Sequence, residues 1–357
     1  MTNKINLTGD VFLKLLNVKN PILSTFPEYG SVFSIIPQNE LSENWMYSNF
    51  VQYYVKRNNL FLSGEELLIY RNHVNFLSHV PTLQHYKVCE DILIKLTDKS
   101  LLDTLIHFID EEFYIILLLD RSFISQSINY KKSPLVHLTL IYGYDEKKRV
   151  FYIADNNNYG KYDFMQYNFD DVINAFRAMN YNDFRDTKTI NLVRPFNHIY
   201  YSFDLKYLIK EFNFYLESYD FKNTYLKNWN PYNPLNYGHD KEFIEYYNLG
   251  VYEYLKELLG CEDKYIGIQP FHFIWENKKF MLRRIEFLKN RGYILASISD
   301  LIWQCKNLIN ETQTILNLVV KFNLTNNKAL LPNIINKIDV AKEGEVKLIE
   351  NLMKALN

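Results

Sequence analysis

The stretch Leu135–Asp155, LVHLTLIYGYDEKKRVFYIAD, decides how the first half of this chain folds. Val136–Tyr142 is dense in β-branched and aromatic residues, as is Arg149–Ala154, and a polar segment from Gly143 to Lys148 separates them. That pattern predicts two antiparallel strands joined by a hairpin. His137 lies near the start of the first strand and Asp155 closes the second. The antiparallel return predicts that the two side chains meet. A histidine beside a carboxylate is the base-and-orienter half of a nucleophilic triad, because the carboxylate fixes the imidazole tautomer and stabilises its protonated form. A packed core histidine and a turn-forming aspartate are the alternative reading of the same pair.

Outward from this hairpin, the first region reads as a mixture of helices and strands. Phe113–Leu119 is a continuous apolar run, the signature of a buried central strand. Thr189–Arg194 is a further strand ended by Pro195. Glu90–Leu96 and Leu101–Ile109 have helical periodicity, and so has Glu43–Lys56, with Ser42 as its N-cap. From about Tyr200 the character changes. Asp204–Tyr219, Asp240–Leu259, Pro270–Asn290, Ile298–Phe322 and Glu343–Leu356 carry apolar residues at helical spacing. The Asn- and Pro-rich segment NWNPYNPLNYGHD, Asn228–Asp240, reads as a loop. The expected architecture is α+β over residues 1–198, followed by an all-helical domain over 199–357.

Composition narrows the function. The 357 residues hold 40 basic and 41 acidic side chains, a balance that argues against a nucleic-acid protein. Aromatics reach 16%, with 29 Tyr and 25 Phe, alongside abundant Asn, Ile and Lys, which fits codon bias better than a ligand-binding surface. Cys89, Cys261 and Cys305 form no CxxC pair, so neither structural zinc nor a disulfide framework is expected. His73, His79 and His85 are six apart, which does not place ligands on one helix face. Arg283 and Arg284, near Glu276 and Glu286, read as a solvated helix face. No phosphate-binding glycine motif occurs, so no cofactor is expected. The amino terminus lacks a signal-peptide core, and the longest apolar run, Tyr114–Leu119, is too short to span a bilayer. A cytoplasmic protein that does not engage membranes is the expectation.

His137, the apolar run after it, Gly143-Tyr144-Asp145, a charged turn and a strand ending in Asp155 resemble the histidine half of papain-like bacterial proteins. The resemblance is to the amino-terminal domain of butirosin biosynthesis protein H and to the cysteine peptidases that trim bacteriocin leaders. DEEFYIILLLDRSFIS, Asp110–Ser125, resembles the strand preceding the histidine strand, and YNFDDVINAFRA, Tyr167–Ala178, the short closing helix. YYNLGVYEYLKELL and FIWENKKFMLRRIEFL resemble the helical region of stand-alone members from low-GC Gram-positive bacteria. The resemblance implies a papain-like fold and acyl transfer in specialised metabolism. An acyl group would pass from an acyl or peptidyl carrier-protein thioester to a small-molecule amine, with His137 as general base and acid and Asp155 as its orienter. A non-catalytic binding or scaffold protein and a peptidase-like hydrolase are the alternatives.

The family's nucleophilic cysteine lies about a hundred residues before its histidine, at a helix N-terminus, and here no cysteine precedes Cys89. Ser31, in EYGSVFSII, lies 106 residues ahead of His137 and follows a glycine; it is the candidate nucleophile, with a loop serine of no role as its alternative. Ser42 is the second candidate, though a helix cap is its expected role. Cys89 is expected to be a buried thiol on a helix. A site with no nucleophile at all is the remaining reading.

Overall fold

A computed structural model describes residues 12–58, 68–70, 76–179, 188–196, 200–220, 243–260, 265–294 and 298–356. The chain forms two compact units. One comprises residues 1–42 and 75–201, the other residues 43–74 and 202–357. Residues 43–74 belong with the second unit, although they precede most of the first in sequence.

The first unit is built on a seven-stranded antiparallel sheet. Its strands are β1 (Leu13–Leu15), β4 (Leu83–Cys89), β5 (Tyr114–Asp120), β6 (Val136–Asp145), β7 (Val150–Asn156), β8 (Tyr162–Asn168) and β9 (Thr189–Pro195). The order is β4-β9-β5-β6-β7-β8, with β1 alongside the end of β6. The helices are α1 (Pro27–Ile35), α3 (Glu90–Thr97), α4 (Leu101–Asp110) and α5 (Phe169–Arg177), while α2 (Glu40–Ser48) carries the chain into the second unit.

Pairing register sorts the sheet into two faces, because directly opposed residues point the same way and neighbours along a strand alternate. Ile115 opposes Ile141, Leu117 opposes Thr139, and Ile141 opposes Ile153. Ile115, Leu117, Leu119, Ile141, Ile153 and Tyr167 join one apolar cluster with Leu105 and Ile109 of α4 and with Val172 and Phe176 of α5. The other face carries Leu140, Ala154 and Phe164, which succeed one another across β6, β7 and β8. Helix α1 packs on β6 and β7 there, contributes nothing to the first cluster, and sets Gly30 against the ring of Tyr162. Gly143 has a reason of its own. A bulge shifts the β6–β7 register between Ile141 and Gly143, and a Cβ on Gly143 would sit 2.4 Å from the Lys14 carbonyl of β1.

Several local expectations need correction. The helix expected over Glu43–Lys56 ends at Ser48, because Tyr53, Tyr54 and Val55 enter β2 (Tyr53–Asn58), where burial of alternating aromatic and β-branched residues outweighs helical spacing. Ser42 is not the cap. It lies inside α2, its N–H donates to Asn39 Oδ1 at 2.9 Å, and its hydroxyl donates to Thr82 Oγ1 at 3.1 Å. Cys89 is exposed at the end of β4, and Glu90 begins α3 after it.

The second unit is mainly helical but not wholly so. Its helices α6 (Leu205–Leu216), α7 (Val251–Leu259), α8 (Gln269–Asn290), α9 (Ser299–Thr325) and α10 (Leu331–Ala355) accompany a three-stranded sheet, β10-β2-β3, formed by β2, β3 (Leu68–Tyr70) and β10 (Phe243–Tyr247). The helix expected from Asp240 thus begins only at Val251. Helices α8 and α9 pack together, as do α9 and α10. Arg284 is fully buried rather than solvated, donating to the carbonyls of Tyr47, Asn49 and Phe50, and burial pushes its pKa down to about 10. Those residues, at the end of α2 and just beyond it, leave three carbonyls without helical partners, and the guanidinium meets them. The loop expected at Asn228–Asp240, His73 and Cys261 lie outside the described residues.

Candidate functional site

β6 and β7 place their residues as the alternating pattern of the hairpin requires. His137 opposes Leu119 and therefore points with Thr139 and Ile141 into the face covered by α4 and α5. Asp155 follows Ile153 by two residues on β7, so it shares that face. The result is a direct contact: His137 Nδ1 lies 2.6 Å from Asp155 Oδ1. The other carboxylate oxygen, Oδ2, accepts from Thr139 Oγ1 at 3.1 Å, and the Asn156 N–H donates to Oδ1 at 2.6 Å. Asp155 is wholly buried, whereas the His137 side chain is 22% exposed. A buried carboxylate survives in such a place because each oxygen has a donor. A ring proton on Nδ1, facing the carboxylate, would leave Nε2 as the nitrogen able to accept a proton.

Ser31 is not brought to this pair. It is the fifth residue of α1, completely buried, and its Oγ has no hydrogen-bond partner. Its neighbour is the Tyr162 hydroxyl, which itself completes no hydrogen bond of normal geometry and whose pKa burial raises. Tyr162 opposes Asn156, one residue past Asp155, and so points away from the dyad. The sheet stands between Ser31 and His137. Nor does the Ser31 N–H open the helix, which begins at Pro27, so no orphan amide is offered to an oxyanion. The 106-residue spacing matched the family's spacing, but strand parity decides which face a residue reaches.

Thr139 and Tyr167, which spacing alone did not single out, share the dyad's face, and Arg121 lies beside Tyr167. Thr139 fixes the second carboxylate oxygen. Tyr167, on β8, lies close enough to Asp155 and Arg121 to feel both charges, and burial raises its pKa. Arg121 follows β5 directly, its N–H donating to the Leu135 carbonyl at 2.8 Å, and is buried to within 6%. The β period of two from His137 identifies Thr139 in retrospect; nothing comparable points to Arg121 or Tyr167. The segment between β5 and β6 is held at several points. Asp120 Oδ1 accepts from the N–H groups of Ser122 and Leu135, Asp171 Oδ2 accepts from the Ser125 N–H at 3.0 Å, and Asn158 Oδ1 accepts from that of Ile128 at 3.0 Å.

Among the described residues no group of three or more His, Cys, Asp or Glu side chains converges as a metal site, and no described helix is long and apolar enough to cross a membrane. His85 is engaged otherwise, with Asn191 Oδ1 2.9 Å from its Nε2 and Ser78 Oγ 3.1 Å from its Nδ1. In comparisons with known proteins, no family model matches the chain, and no curated protein matches it closely enough to indicate a relationship.

Proposed function

We propose that the first unit is a papain-like acyltransferase scaffold in which the His137–Asp155 dyad serves as general base. In this reading a carrier-protein thioester supplies the acyl group and a small-molecule amine accepts it. The amine nitrogen attacks the thioester carbonyl, its proton passes to His137 Nε2, the C–S bond breaks, and the departing thiolate takes the proton back from the imidazolium. The products are an amide and a free thiol, with no atom left over. Because Ser31 lies across the sheet, the reaction is written as direct attack by the acceptor rather than through an acyl-enzyme. The observation that carries the reading is the 2.6 Å contact between a fully buried carboxylate and a partly exposed imidazole. Such a contact costs desolvation that a purely structural histidine does not need.

The burial of Ser31 also favours a second reading, a papain-like domain kept for binding after loss of its nucleophile. One experiment separates the two. Acyl-pantetheine thioesters are incubated with the full chain and a panel of primary amines, and amide formation is followed by mass spectrometry in wild type and in His137→Ala. Turnover lost in the variant supports acyl transfer. Thioester binding without turnover in either protein supports the binding domain, and hydrolysis that depends on His137 supports a hydrolase.

A further inference from the structure

Among the described residues, Arg121 is a buried cation without a counter-charge. Its side chain is nine-tenths or more enclosed, its Nε has no hydrogen-bond partner, and no described carboxylate forms an ion pair with it. The Tyr167 hydroxyl is the polar group beside it. Taking a guanidinium out of water is costly, and a fold keeps one unpaired only where something else neutralises it. Its position says what that is. Arg121 opens the short turn Arg121–Phe123 that follows β5, and its N–H donates to the Leu135 carbonyl two residues before His137. Its neighbour Tyr167 lies on the dyad's face and also feels the Asp155 charge. The unpartnered Nε–H lies on the edge of the guanidinium that, with the adjacent Nη–H, matches both oxygens of a carboxylate.

We infer that Arg121 is a carboxylate-recognition residue beside the dyad, holding the carboxylate of an amino-acid-like acceptor whose amine then faces His137. Its role in turnover rests on the acyl-transfer reading, but the binding it predicts is measured apart from turnover. Asp155 is committed to His137, Thr139 and the Asn156 N–H, and so is not the counter-ion Arg121 lacks.

The test uses the full chain labelled with 15N-histidine. Glycine, β-alanine and γ-aminobutyrate are titrated against their primary amides and against inorganic phosphate, following the His137 ring signals assigned with His137→Gln. Saturable binding of at least one acid is expected, at least tenfold tighter than its amide. Arg121→Gln should weaken it at least tenfold, and Arg121→Lys, which keeps the charge but not the two-pronged geometry, by less. Calorimetry on His137→Gln should show the acid still bound, so a failure of catalysis and a failure of recognition are told apart. Should Arg121→Gln not fold, the acid-against-amide comparison on wild type decides. Equal binding of acid and amide, no saturable binding, unchanged affinity in a folded Arg121→Gln, or phosphate bound more tightly than every acid would each overturn the assignment. In those cases Arg121 serves only to brace Tyr167.

Discussion

Thr139 Oγ1 donates to Asp155 Oδ2 at 3.1 Å, the oxygen that His137 leaves free. The carboxylate is therefore held at both oxygens by two side chains on the same face of β6. Asp155→Asn should lower any His137-dependent turnover by orders of magnitude, by analogy with the roughly 10⁴-fold loss when a triad aspartate becomes asparagine. The amide presents an N–H where the ring N–H now points, which reverses the tautomer. Thr139→Val, nearly isosteric, should cost far less, on the order of tenfold or below, since only the orienting bond is lost. Steady-state rates of the two variants, with circular dichroism to confirm folding, check the ranking. Equal losses would mean that Asp155 does not act through the ring.

How much of this was legible in the sequence follows from which signals are local. The hairpin, the central strand and helices α3 and α4 were readable because period and turn chemistry lie within a few residues of each other, whereas α5 was expected only from a resemblance and starts at Phe169 rather than Tyr167. The His137–Asp155 contact was readable for the same reason. Strands β2, β3 and β10 were not, because their pairing joins Tyr54 to Tyr247 and Tyr53 to Tyr70, partners that no local window contains. Helical spacing in Glu43–Lys56 was real as far as Ser48, then yielded to tertiary burial of Tyr53 and Tyr54. Ser31 failed for another reason. Chain separation carries no information about sheet face, and Arg284 likewise reads as a surface charge until the carbonyls it meets are known.

Substitutions in α1 separate a catalytic from a packing role. Ser31→Ala removes a buried hydroxyl with no hydrogen-bond partner, so turnover should be unchanged and stability should move by less than about 1 kcal/mol. Gly30→Ala is the contrast: its Cβ would come within 2.2 Å of the buried Tyr162 ring, and overpacking of this kind costs about 1–3 kcal/mol. Urea midpoints measure both. A large loss of activity in Ser31→Ala at unchanged stability would restore Ser31 as a nucleophile.

In the second unit, Lys278 and Glu345 form a fully buried ion pair, with Tyr252 also donating to the carboxylate at 2.6 Å and Asn277 Oδ1 accepting from the ammonium at 3.0 Å. Lys278→Met leaves a buried carboxylate without its counter-charge and should destabilise by about 3–5 kcal/mol. The double variant Lys278→Met with Glu345→Leu should recover much of that loss, because neither charge then remains to be desolvated. Denaturant melts of the single and double variants give the coupling. A double variant no more stable than the single one would show that the pair, rather than its burial cost, dominates.

Alkaline stability follows from buried acids in the same unit. Burial pushes the Cys305 thiol from its ordinary value near 9 up to about 12, and raises the phenols of Tyr53, Tyr215 and Tyr252 well above theirs. The folded state therefore keeps protons that the unfolded chain releases, so stability falls with rising pH once the unfolded groups begin to ionise. Below about pH 9 these groups contribute a constant amount. From there towards pH 12 the Cys305 share is lost progressively, and the tyrosines add to the decline above about pH 10. Urea midpoints should be flat from pH 7.5 to 8.5 as far as these groups are concerned and fall beyond about pH 9, with tyrosinate absorbance appearing only as the unit unfolds. Cys305→Ala should remove the earliest part of the slope while lowering stability at neutral pH. Thiol labelling gives the matching readout: exposed Cys89 should react at once near neutral pH, and Cys305 only at the rate of opening. Rapid labelling of Cys305 in the folded protein, or midpoints that rise above pH 9, would contradict the burial from which both expectations derive.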